Sequence, residues 1–228
     1  MHCGTRVGVY GVLEPYPWLA AEGDTLRERV LDLALARADA PGPDEGEPRW
    51  RACDHGGDWS RASGELVWLR ADVPEDVRHP RLPVQPMTRL LVAALGRAGA
   101  LVLSGVRADL PLQITAGDAT GELEDLRDWF ALADPSASVG TTLVATGVRA
   151  SRAEAERVRD ALRERIAPAA EPHDVRGGGP GPDADRLRFH VRTREWSPEV
   201  AVWLVEAAGD ALRATGHAVP VTLTASAP

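Results

Sequence analysis

Apolar and polar residues alternate along several short stretches of this chain and recur at helical spacing along others. Residues 186–193 read RLRFHVRT: Leu187, Phe189 and Val191 fall on one side of an extended backbone, and Arg186, Arg188, His190 and Arg192 on the other. Continuing the parity places Arg194 with the cations. The closing stretch VPVTLTA, residues 219–225, repeats the logic, with Val219, Val221 and Leu223 opposed to Thr222 and Thr224. Further strands are predicted at 4–15 (GTRVGVYGVLEP), 49–55 (RWRACDH), 65–73 (ELVWLRADV), 100–106 (ALVLSGV) and 140–151 (GTTLVATGVRAS), with a weaker one, HDVR, from His173. Helical spacing places Val30, Leu31, Ala34 and Leu35 on one side of 28–37, and Val158, Ala161, Leu162 and Ile166 on one side of a helix from Glu156. Helices are also predicted from Met87 and from Glu199, each stopping at glycine. An amphipathic segment at 122–133 offers Leu123, Leu126, Phe130 and Leu132 as its apolar side.

The two halves of the chain echo each other. Gly4-Thr5 matches Gly140-Thr141, Gly11-Val12 matches Gly147-Val148, and ERVLDLALAR is answered by ERVRDALRER. Each half then meets a break rich in proline, glycine and aspartate before its next strand, helix and final strand. The order is strand, helix, strand, strand, helix, strand, twice. That is the split βαβ arrangement, so the expected fold is α+β: tandem duplicated ferredoxin-like units, with antiparallel sheets and helices on one face. The expected organisation is a first unit at 1–116, a helical linker at 117–139 and a second unit at 140–228.

Composition narrows the function classes more than it selects one. At 228 residues, 44% hydrophobic and 26% charged, the chain can bury a large core. No apolar run reaches the roughly 20 residues of a membrane helix, and the first residues lack a signal-peptide pattern. With two cysteines, no disulfide framework is expected. These features suggest a soluble cytoplasmic protein. All 26 basic residues are arginine, with no lysine or asparagine and two isoleucines, the bias a GC-rich genome imposes. Arginine abundance is therefore poor evidence for phosphate or nucleic-acid binding, and a net charge of −8 argues against nucleic acid and anionic membranes as partners.

Candidate chemistry gathers on 186–194. A split βαβ sheet leaves one face without helices, and the cationic side of this strand would emerge there. Guanidinium groups grip carboxylate or phosphate through paired hydrogen bonds. Arg188, Arg192 and Arg194 are therefore candidate anion ligands, with His190 as a candidate general base among them. Thr222 and Thr224 share the expected face. A fainter row in the first half, Arg49, Arg51 and His55, would line the same cleft if the two open faces opposed each other. Solvated surface charge is the plainer alternative, since exposed strands carry charge to discourage aggregation.

Other motifs fail on spacing. His2-Cys3 and Cys53-Asp54-His55 lack zinc-finger geometry, so no metal is expected. GGGPGPD at 177–183 lacks the Lys-Ser/Thr of a phosphate loop, and no Gly-x-Ser-x-Gly or cysteine nucleophile motif occurs, so no cofactor is expected either. Carboxylates at Asp72, Glu75 and Asp76, and at Glu195 and Glu199, precede helices and read as helix-start residues, with Ser197 and Pro198 opening the last one. Trp68, Trp129 and Trp203 are expected in the core, with Trp18, Trp50, Trp59 and Trp196 at loops and strand ends. The motifs single out no family. The leading expectation is a domain that binds an anionic small molecule or an acidic protein segment on an arginine-lined sheet, with room for a homo-oligomer. The alternative is a metal-independent enzyme of specialised metabolism using His190 as general base on an anionic substrate.

Overall fold

The computed structural model describes residues 2–38, 49–56, 59, 64–74, 82–114, 120–177 and 185–228; at His2, Cys3, Ala38, 49–52, Val73, Pro74, 120–122 and 175–177 only the backbone is described. The first half runs β1 (His2–Pro15), α1 (Asp24–Ala38), β2 (Arg49–His55), β3 (Glu65–Pro74), α2 (Val84–Ala98) and β4 (Gly99–Pro111). Helix α3 (Thr120–Phe130) leads to the second half: β5 (Val139–Thr146), α4 (Arg152–Ile166), β6 (Ala170–Gly177), β7 (Arg186–Thr193), α5 (Pro198–Ala214) and β8 (Pro220–Ser226). It is a mixed α+β protein.

All eight strands form one antiparallel sheet in the order β2-β3-β1-β4-β8-β5-β7-β6. Within each half the first strand lies between the third and the fourth, and the second lies at the outer edge. The halves meet where β4 pairs with β8, from Gly105 opposite Ser226 to Pro111 opposite Pro220. Joining there satisfies the backbone groups of two strands that would otherwise be exposed edges. The two open faces are thus coplanar. They do not oppose each other: β2 and β7 lie toward opposite margins of one sheet, and the register shift between Trp50 and Ala52 leaves His55 opposite the buried Val67, on the helix-covered side and away from the expected row.

Helices α1, α2, α5 and α4 pack in that sequence, side by side, over one sheet face, and α3 lies on α4 and α5. Strand alternation supplies the floor of the core: Val7, Leu69, Ala108, Leu223, Ala145 and Leu187 are all buried. Trp203 of α5 sits over it, 1% exposed, with its ring 5.1 Å from that of Phe130 on α3. Trp59, expected at a loop, is buried as well and donates its indole N–H to the Leu66 carbonyl at 2.9 Å. Trp129 departs from expectation: it is 68% exposed, because α3 docks through Leu123 and Phe130 and Trp129 projects from another side of the helix. Leu132, placed by its spacing on the apolar side, lies beyond the end of α3 and is also exposed.

Helix starts come earlier than apolar periodicity alone indicates. α4 begins at Arg152 because Ser151 and Glu154 form a capping box: the Ser151 Oγ accepts from the Glu154 N–H, and the Glu154 carboxylate accepts from the Ser151 N–H at 2.7 Å. In α5, Ser197 caps the Val200 N–H and Pro198 opens the helix. β5 stops at Thr146, since Gly147 takes φ 88°, a left-handed turn that favours glycine.

Candidate functional site

The helix-free face of the sheet can be followed across the strands by register. One row runs Trp68, Gly8, Arg107, Thr224, Val144, Arg188, and a second runs Tyr10, Gly105, Ser226, Thr142, His190, Asp174. Opposed residues in an antiparallel pair lie on the same face, so both rows belong to one surface. Its two ends differ in chemistry.

On the first half, Arg6 and Arg107 are engaged. Arg6 donates to both carboxylate oxygens of Glu65 at 2.9 Å, stacks over the Trp68 ring at 4.7 Å and lies 3.7 Å from Asp109. Gly8 makes this possible: a Cβ there would come 2.3 Å from the Glu65 carboxylate, which folds across β1. Asp109 also accepts from Arg107 at 3.3 Å and, across the seam between the halves, from the Thr222 hydroxyl at 2.7 Å. Arg107 donates to the Tyr10 phenol oxygen, and burial followed by the Glu65 charge pushes the Tyr10 hydroxyl above its ordinary pKa.

On the second half, the side chains of β7 emerge as their parity dictates. Leu187, Phe189 and Val191 are buried, Arg188 and Arg192 are exposed, and His190 is half-buried. Among the described residues the Arg188 and Arg192 side chains have no ion-pair or hydrogen-bond partner. A cleft of about 500 Å³ opens beside them, lined by Ser138, Thr142, His173, His190, Arg192 and Ser226, with the last residues of the chain at one side. The side chains of Ser138, Thr142, His173 and His190 likewise have no hydrogen-bond partner among the described residues. The Ser226 hydroxyl reaches the Thr142 carbonyl only at 3.5 Å.

His173 reaches this face through an irregularity. Pro172 pairs with Val191 and Asp174 with His190, leaving His173 as the extra residue of a β-bulge on edge strand β6. A bulge re-aims side chains, and proline is tolerated at such an edge. Pro172 is buried while His173 and Asp174 are both exposed, which strict alternation would forbid. Glu171 and Asp174 are the nearest acids on β6, opposite Arg192 and His190, and neither lines the cleft.

The other candidate residues are dispersed. Arg194 lies past the end of β7, and its guanidinium donates to the carbonyls of Ala131, Ala133 and Pro168, tying down the turn after α3. Thr222 belongs to the Asp109 network, and Thr224 lies between Arg107 and Val144 at mid-sheet. His55 sits at the β2 margin, its Nδ1 3.0 Å from the Gly56 carbonyl oxygen and its ring edge-on to Trp59. Arg49 and Arg51 belong to β2 by backbone, and their side chains fall outside the described residues, as do Glu75, Asp76 and most of the glycine-rich segment at 177–183. Cys53 is half-buried, and burial followed by the Asp54 charge pushes its thiol up to about 12. Among the described residues no group of three or more histidine, cysteine, aspartate or glutamate side chains is placed to hold a metal ion, and no helix is long and apolar enough to cross a membrane.

No family model matches the chain, and no curated protein matches it. Among solved structures, a mutant of the protein Cas6 is aligned over 99% of this chain and 98% of its own, at 14% identity and a TM-score of 0.21. A likeness of that grade carries no argument about what this chain does.

Proposed function

We propose that this chain is a binding module whose second half holds an anionic ligand, a small molecule or an acidic protein segment, in the cleft between His173, His190 and Arg192. One observation carries the reading: the cleft gathers hydrogen-bond donors that nothing among the described residues satisfies, whereas Arg6 and Arg107 at the other end of the same surface are paired with acids. A guanidinium left exposed next to a concave set of hydroxyls and imidazoles is the usual composition of an anion subsite. The scaffold reading that goes with it is a pair of ferredoxin-like units, at 1–116 and 140–228, joined through 117–139. It is supported by the identical strand placement within each half and by the sequence echo.

A second reading rests on the same cleft. Two imidazoles beside one guanidinium offer both a proton acceptor and a proton donor, the equipment of metal-independent acid–base catalysis on an anionic substrate, with His190 as base.

Charge reversal tests the first reading. The Arg188→Glu/Arg192→Glu variant should lose all calorimetrically detectable binding of inorganic phosphate and citrate at low salt while keeping its circular dichroism spectrum. A wild-type chain that binds neither anion, or a variant that binds them undiminished, removes the proposal.

A further inference from the structure

We infer that the ligand group held in the cleft is a tetrahedral dianion, a phosphate monoester, and not a carboxylate; this rests on the anion-binding reading above and makes it specific. Donor number and direction separate the two. A carboxylate presents two oxygens in one plane and is served in full by one guanidinium fork. Arg192 alone would suffice for it.

The cleft supplies more than that, and from several directions. Thr142 comes from β5, His190 and Arg192 from β7, His173 from the bulge of β6, and Ser138 from the segment leading into β5. Around a planar carboxylate most of these groups would have no oxygen to reach. The three terminal oxygens of a phosphate monoester point away from one another and offer each strand a separate acceptor. The bulge strengthens the case, because it breaks strand alternation at the one residue that adds a second imidazole to the set. No Cβ contact lies within 4 Å above Gly140, which leaves the middle of the cleft open, and about 500 Å³ accommodates a phosphate together with a small organic substituent. The acids nearby, Glu171 and Asp174, stay outside the lining.

Charge must be held constant in the test, because any cationic surface prefers a dianion to a monoanion. Phenyl phosphate and phthalate are both dianions at pH 8, the second phosphate ionisation lying near pH ~6. Isothermal titration calorimetry should give phenyl phosphate about tenfold tighter binding than phthalate, since each added charge-assisted hydrogen bond is worth roughly that factor. His173→Ala and Thr142→Val should each weaken phenyl phosphate roughly three- to tenfold and leave phthalate unchanged. Both substitutions lie at exposed or half-buried positions, and circular dichroism verifies the fold. Phthalate binding as tightly as phenyl phosphate, or His173→Ala and Thr142→Val without effect on phenyl phosphate, overturns the phosphate assignment and leaves anion binding standing. Binding of neither probe overturns both.

Discussion

The two halves of this molecule place their loose ends on opposite faces. In the first half the sheet face is closed, with Arg6, Arg107, Glu65 and Asp109 satisfying one another. Its helix layer is the open one: α1 and α2 leave a groove of about 290 Å³ lined by Leu19, Leu26, Val30, Leu33 and Ala94. The second half reverses this. Its helices are clamped by Asp210 of α5, 5% exposed, which accepts from Arg165 of α4 at 2.5 Å and from Arg213 of its own helix. Its sheet face carries the unpartnered donors of the cleft. Similar strand plans thus yield different surfaces, and the difference lies in which cations were given an acid within reach. Gly8 shows how small the deciding feature is, because its missing side chain is what lets Glu65 cross β1 to Arg6.

The largest effect should come from breaking the clamp. Asp210→Ala takes the shared carboxylate from two partly buried guanidinium groups, and removing one member of a buried ionic group costs about 3 kcal/mol or more. Urea denaturation should register that loss. Asp109→Ala, in the more exposed network of the sheet face, should cost about 1–2 kcal/mol after allowance for solvent screening. Arg192→Ala in the cleft should change stability by less than about 0.5 kcal/mol, as expected for a surface residue with no partner to abandon. If Arg192→Ala destabilised the protein as much as Asp109→Ala, the contrast between the faces would collapse.

The contrast can also be sharpened by opening the closed face. Glu65→Gln removes the acid that occupies Arg6 and leaves the guanidinium over Trp68. In an Arg192→Ala background, Glu65→Gln should restore measurable binding of phenyl phosphate. Its affinity should be roughly tenfold weaker than that of the native cleft, because Asp109 remains nearby and fewer donors converge. Restoration would mean that pairing, and not strand geometry, decides which half is receptive. Complete silence would mean that the hydroxyls and imidazoles of the second half are indispensable.

What the sequence revealed and what it hid follow one physical divide. The parity of β7 was legible because alternation is a local property: Leu187, Phe189 and Val191 are buried and Arg188 and Arg192 exposed, in the order the residues stand. The order of elements was legible for the same reason. The start of α4, expected at Glu156, was missed: the helix begins at Arg152, where Ser151 and Glu154 cap it and apolar spacing gives no sign. The cleft was not. Thr142 and His190 become neighbours only through the β5–β7 register, Ser226 joins them only through the β5–β8 register, and His173 faces them only through a bulge. Pairings that distant in sequence leave no local trace. A hint did exist in two histidines, on the strands predicted from His173 and at 186–193. The pairing of Arg6 with Glu65, 59 residues apart, was equally hidden, and so the sequence could not tell paired arginines from free ones.

The smallest effect concerns the base titration of the closed face. Tyr10 lies half-buried in it, and burial together with the Glu65 charge holds its hydroxyl above the ordinary phenol value despite the opposing pull of Arg107. In the unfolded chain the same hydroxyl ionises near pH ~10. Below that pH the phenol is neutral in both states and stability is unaffected. As pH rises past it the unfolded chain loses the proton first, so stability declines until the folded-state pKa is passed. The chain has two tyrosines, which makes the phenolate absorbance readable: native protein should show a component that ionises late, and Tyr10→Phe should abolish it. Glu65→Gln should shift that component toward the ordinary value by removing one of its two causes, while Arg192→Ala should leave it unmoved. A late component that persists in Tyr10→Phe would detach the buried phenol from the closed network and deprive that face of the mutual support that distinguishes it from the cleft.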